Sequence, residues 1–144
     1  MNKEVVVRIE AKQRYPQQKP ECTVTEVNGE YYLRNQTHYV MFEEIQEGFS
    51  EKTKSMLKIK EDSVELTKKG LIHSHMFFAK QEVYVTEYKT PFGSFLMEIH
   101  TGKLEITEND GEIKIKIEYS LKSQEQPVAD CDIHIMIKEK QSEG

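Results

Sequence analysis

The chain has 144 residues, 37% of them hydrophobic and 31% charged, with a formal net charge of −5. That length suits one domain (1–144) with one economical core, and an acidic chain repels phosphate backbones unless its basic residues cluster, which argues against nucleic-acid binding. No stretch approaches the roughly 18 apolar residues of a transmembrane helix, and Met1-Asn2-Lys3-Glu4 leads only into Val5–Val7, so neither a membrane span nor a signal peptide is expected and the cytoplasm is the expected location.

In chain order, Val5, Val7 and Ile9 share one face of a first strand, with Val6 and Arg8 opposite. The first twenty residues lean basic, with Lys3, Arg8, Lys12, Arg14 and Lys19 against Glu4 and Glu10, and read as a solvated face and loop. Residues 13–20, with Pro16 and Pro20, form a loop. A second strand signal runs from Thr23 to Leu33, in which Asn28-Gly29 is either a tight turn or a bulge. Arg34 to Thr37 turn the chain into His38–Glu44, and the loop with Gly48 and Ser50 has room for one helical turn.

A meander follows. Leu57 and Ile59 share a face, Glu61-Asp62 turns, Val64 and Leu66 point inward, and Lys68-Lys69-Gly70 turns again. Ser74, Met76 and Phe78 alternate with His73, His75 and Phe77, and Lys80-Gln81 leads into 82–90. Pro91-Phe92-Gly93 is a sharp corner before Phe95, Met97 and Ile99, and Gly102 allows a bend before Leu104 and Ile106. Asn109-Asp110-Gly111 is a strong hairpin signal. Ile113 to Leu121 then alternates apolar and polar without a break, so that one face of the strand is dry and the other wet. Pro127 ends a loop, Cys131, Ile133, Ile135 and Ile137 share the inner face of a last strand, and a polar frayed tail is expected from about residue 139.

This pattern predicts an all-β protein with little helix: eight to ten antiparallel strands in an up-and-down, lipocalin/calycin-like β-barrel, because short turns make consecutive strands antiparallel neighbours and closure removes exposed edges. A Greek-key sandwich needs long crossovers, for which only 13–20, 45–52 and 122–129 have the length. Cys22 and Cys131 belong to no metal-binding spacing and are read as reduced thiols, although pairing of the first and last strands would make them neighbours.

The order of the elements from about Val24 to Ile137 resembles the YwiB-like family of uncharacterised bacterial proteins, which is related to the calycin barrels. The resemblance rests on Tyr31 with Tyr32, the 39–44 strand with its paired glutamates, the 58–70 hairpin, Met76 with Phe78, and Thr101, Gly111, Tyr119 and Leu121. Its most specific piece is the corner Tyr88-Lys89-Thr90-Pro91-Phe92-Gly93. The resemblance implies the barrel and carries no activity.

Chemistry is sparse. His73 and His75 share a strand face and have the spacing of two metal ligands, with His100 a candidate third; their face is opposite Met76 and Phe78, so they are expected to meet water and no metal site is assigned. Glu43 and Glu44 face opposite ways; Asp130 and Asp132 share a face expected to be solvated. No phosphate loop, nucleophile elbow or zinc-hydrolase motif occurs, no catalytic residue is named and no cofactor is implied. An enzyme therefore ranks third among the readings. The first is a barrel holding a small apolar or amphipathic molecule, with Phe42, Phe78, Tyr84, Tyr88, Met97 and Tyr119 as candidate wall residues. The second is a filled barrel acting as an interaction or homodimerisation module through its outer surface or edge strands.

Overall fold

The computed structural model describes residues 1, 3–45 and 48–140, and among them every regular element is a β-strand. The ten are β1 (Glu4–Arg14), β2 (Glu21–Arg34), β3 (Thr37–Ile45), β4 (Lys52–Ile59), β5 (Ser63–Lys69), β6 (Ser74–Ala79), β7 (Val83–Thr90), β8 (Gly93–Asn109), β9 (Glu112–Ser123) and β10 (Gln126–Glu139). They form one sheet in the order β6-β5-β4-β3-β2-β1-β10-β9-β8-β7, with all neighbours antiparallel. This is the expected up-and-down barrel, nearly closed.

The first and last strands pair over ten residues, from Val5 opposite Glu139 to Arg14 opposite Asp130. The seam lies instead between β6 and β7, consecutive in sequence yet joined by one bridge, in which His73 and Lys89 exchange two backbone hydrogen bonds of 2.9 Å. Tyr84 of β7 reaches across this seam: its ring lies against Phe77 and His75, and its hydroxyl is 2.8 Å from His75 Nδ1.

Alternation decides what faces inward. Val5, Val7, Val40, Leu57, Ile59, Val64, Phe78, Ile99, Ile113, Ile115, Ile117 and Ile137 are all essentially inaccessible and form one core. Their outward neighbours are charged and pair across the surface. Arg8 binds Glu10 and Glu26 at 3.0 and 3.1 Å, and Arg14 binds Asp132 at 2.7 Å, so these basic residues of the N-terminal stretch face acids on the outer wall.

Several local expectations change. Asn28-Gly29 is neither turn nor bulge: Gly29 sits in unbroken register between Val5 and Phe42. Its missing side chain has a packing reason, since a Cβ there would lie 2.9 Å from Met41 O. The 122–129 segment is not a long loop but a two-residue hairpin at Gln124 and Glu125, both at positive φ (52° and 65°). Asn35 and Gln36 (51° and 64°) make the β2–β3 hairpin in the same way, as tight hairpins require of their central pair. The bend at Gly102 is a bulge within one seventeen-residue strand, β8, where the register shifts between Thr101 and Lys103. Residues 46–47 lie outside the described residues, and 48–51 carry no helix. Residues 139 and 140, where a frayed tail is expected, are paired: Glu139 belongs to β10 and Lys140 N–H donates to Glu4 O at 2.9 Å; residues 141–144 lie outside the described residues.

Pairing of β1 with β10 does not bring the cysteines together. Cys22 is opposite Lys12 on the exposed face, Cys131 is opposite Gln13 on the inner face, and both are free. One thiol equivalent should therefore react rapidly with Ellman's reagent in native protein and two in denaturant, while dithiothreitol leaves Tm unchanged. Loss of the rapid equivalent without reductant would contradict this arrangement.

Candidate functional site

The two ends of the barrel differ. One end carries the β2–β3, β4–β5 and β8–β9 turns and is filled with Ile, Val, Leu and Phe. There the Tyr31 hydroxyl lies 2.6 Å from His38 Nδ1, and His38 Nε2 lies 2.6 Å from Glu108, a contact across the barrel between β3 and β8. An ionised carboxylate only accepts, so Nε2–H donates to Glu108; in the neutral imidazole Nδ1 then accepts from Tyr31 O–H. This relay closes the floor.

The other end, the mouth, carries the β3–β4, β5–β6 and β7–β8 connections, and polar side chains replace apolar ones on its inner face. On β3 the inward series Val40, Phe42 continues into Glu44; on β4, Ile59 and Leu57 give way to Ser55 and Thr53; on β5, Val64 and Leu66 give way to Lys68. The register places Phe42, Ser55, Lys68 and Ser74 in one row across β3–β6, with Glu44 beside Thr53 one step nearer the mouth. Lys68 Nζ lies 3.6 Å from Glu44 Oε2, with side chains 21% and 11% exposed. Thr53 Oγ1, Ser55 Oγ and Ser74 Oγ are buried and have no hydrogen-bond partner among the described residues. A buried polar group left unpaired costs on the order of 1–3 kcal/mol, so three in one patch mark a departure from ordinary core construction.

Tyrosines face this patch. Burial, then the Glu44 carboxylate, then Tyr15 push the half-buried Tyr88 hydroxyl above its ordinary value of 10.0. Burial first, then the neighbouring Cys131, to whose sulfur the phenol O–H donates, then Tyr88 and Tyr15, hold Tyr119 well above that value. Tyr15 O–H donates to Gln13 Oε1 at 2.7 Å. Tyrosines 15, 31, 88 and 119 are all raised, with burial the first cause in each. The protonated phenol is thus the form the fold favours. Its contribution is complete below the unfolded value near 10.0 and is lost as pH rises through the higher folded values. The barrel should accordingly lose stability above about pH 10, with tyrosinate absorbance at 295 nm rising together with unfolding. A tyrosinate signal that is complete before the circular dichroism changes would show that these hydroxyls are accessible in the native state.

The candidate wall residues divide. Phe42 (5% exposed), Phe78 (1%) and Tyr119 (6%) are buried in the core, with the Phe78 and Tyr119 ring centroids 4.9 Å apart. Tyr88 and Met97 are half-buried on the inner face of the β7–β8 hairpin, and Tyr84 occupies the seam. Among the histidines, His73 is exposed and supplies only backbone to the seam, His75 binds Tyr84 and, at 3.4 Å, Glu65, and His100 lies 3.4 Å from Glu98. Asp130 is exposed and accepts from Ser120, while Asp132 is held by Arg14, whose hydrogen bond draws its carboxyl below the ordinary value.

Two residues were missed. Lys68 was assigned to a turn but lies in β5 facing inward, and Glu44 is a carboxylate inside the barrel where none was expected. The signal was present: each continues an apolar series at two-residue spacing. On the far side of the same wall, Met41, Met56, Glu43, Lys54 and Lys69 help to line an open outer groove of about 860 Å³.

A family model described as a domain of unknown function, DUF1934, matches residues 7–135. The chain belongs to the DUF1934 family. Among solved structures, the YwiB protein from Bacillus subtilis superposes with a TM-score of 0.83 at 16% identity, over 96% of this chain and 93% of that one, which establishes the shared fold. The YwiB-like resemblance is thus borne out, together with the barrel it implies. A search of curated proteins found no match. No helix among the described residues is long and apolar enough to cross a membrane. For this DUF1934 barrel, the fold sets Glu44 and Lys68 on one wall and Tyr88 and Tyr119 on the other.

Proposed function

We propose that the barrel is a non-enzymatic binding protein for a small amphipathic molecule, held at the mouth with its polar group among Glu44, Lys68 and the hydroxyls of Thr53, Ser55 and Ser74. Its apolar part lies toward Tyr88, Met97, Phe42, Phe78 and Tyr119, with water excluded around it. The single observation behind this reading is the row of buried, unpartnered hydroxyls beside an inward Glu–Lys pair. The solid packing of the floor confines the ligand to the mouth half, which favours an amphiphile over a wholly apolar molecule. Two unpaired thiols agree with a reducing cytoplasmic setting.

Native mass spectrometry of protein purified from its own host tests the reading, together with calorimetric titration of medium-chain amphiphiles against wild type and Ser55→Val. A co-purifying small molecule, or saturable binding weakened by Ser55→Val, supports it; an empty barrel that binds no amphiphile sinks it.

A second reading, homodimerisation, draws on the outer face of the β7–β8 hairpin, where Val83, Val85, Phe92 and Leu96 are 55%, 52%, 84% and 61% exposed. Light scattering over a concentration series decides it: a mass that stays monomeric at high concentration removes it.

A further inference from the structure

Among the described residues, the inner face of the mouth brings together one ammonium and three hydroxyls that can each donate a hydrogen bond. Thr53, Ser55 and Ser74 each bring a hydroxyl without a partner among the described residues, and two of them flank Lys68 directly in the ladder. Lys68 brings three N–H groups, and its approach to Glu44 at 3.6 Å is longer than a hydrogen bond. Against these donors the inner wall of β3–β6 sets one carboxylate, Glu44. A carboxylate or phosphate-type head supplies several lone pairs to converging donors, and its charge strengthens each bond.

Resting on the binding reading above, we infer that the polar group received at Ser55, Lys68 and Ser74 is an oxyanion, the head of a carboxylated or phosphorylated amphiphile. Lys68 is its cationic partner, the three hydroxyls complete its shell, and Glu44 holds the ammonium in the row when the site is empty. The geometry gives Glu44 an opposing role once the anion is bound, because two negative charges then share one ammonium in a poorly solvated wall. Removing the Glu44 charge should therefore tighten binding of an anion, whereas the same change weakens binding of a cation or of a neutral donor head that uses this carboxylate.

The experiment is calorimetric titration of the whole chain with decanoate, decyl phosphate, decanol and decyltrimethylammonium, and separately with acetate and inorganic phosphate, in wild type, Glu44→Gln and Lys68→Met. Decanoate or decyl phosphate should bind at least about tenfold tighter than decanol. Glu44→Gln should tighten the anionic ligand by about tenfold. Lys68→Met should weaken decanoate and decyl phosphate by at least about tenfold and so remove the preference for the anion over decanol. If acetate or phosphate displaces the amphiphile at similar concentration, the free anion is the source; if neither does, the amphiphile is. Equal affinity for decanoate and decanol, or weaker decanoate binding in Glu44→Gln, overturns the oxyanion assignment and leaves the amphiphile reading standing. Absence of binding by every amphiphile overturns both. Circular dichroism melts of the two variants, each close in size to the native residue, confirm that the fold is retained.

Discussion

Phe78→Ala is expected to remove about 3–5 kcal/mol of folding stability. Phe78 is 1% exposed, points inward from a strand at the seam, and rests on the Tyr119 ring. Its loss opens a void against β5 and β9 that the surrounding ladders hold open, because backbone hydrogen bonds limit how far the wall can collapse. Domains of this size are stable by only about 5–15 kcal/mol, so the change takes a large share of the total. It also falls where the wall has one bridge in place of a ladder. Urea unfolding monitored by circular dichroism measures the difference. A loss below about 1 kcal/mol would show that Phe78 is poorly packed.

Gly70→Ala is expected to be comparably damaging, at about 2–4 kcal/mol. Gly70 turns β5 into β6 with φ at 148°, and a Cβ there would lie 2.4 Å from Lys52 O and 2.7 Å from Thr53 Cα. Neither obstacle is a side chain that can swing aside; both are backbone of β4. Relief requires the turn to lift from β4, and the elements that move carry Lys68, Ser74 and Thr53. The substitution should thus lower Tm and weaken ligand binding together. A Tm loss with full binding retained would place the ligand away from the row. Gly48→Ala is the control, since a Cβ at Gly48 meets nothing within 4 Å although its φ is also positive, at 85°.

The fold was legible because strand alternation and inward burial are the same fact seen twice. Ile113, Ile115, Ile117 and Tyr119 announce their face in sequence and are buried on it. Turns were legible where glycine or proline forces the backbone, as at Pro91 and Gly111. They were not legible at Gln124-Glu125, where ordinary residues adopt the left-handed region because flanking strands demand it. The candidate site was half legible. The inward aromatics followed from the pattern, whereas the pattern reads Lys68 into a turn and leaves open which of Glu43 and Glu44 faces inward. Only the assembled ladders set Ser55, Lys68 and Ser74 side by side. The seam was illegible, since which strands fail to pair depends on how a twisted sheet meets itself.

The position of that seam bears on how the chain finds its structure. Chain order and wall order agree everywhere except at the join of β1 to β10, which couples residues well over a hundred positions apart, while β6 and β7, close in sequence, stay largely unzipped. Closing so long a loop is the slow, entropically costly event in a protein built of otherwise local hairpins. Lys140 N–H already donates to Glu4 O at one end of this join. A circular permutant that links the native termini and opens the chain at Lys80–Glu82 would make every ladder in the wall sequence-local. It should refold faster than the natural chain in stopped-flow dilution from urea, with an equal rate showing that the β1–β10 join is not the limiting step.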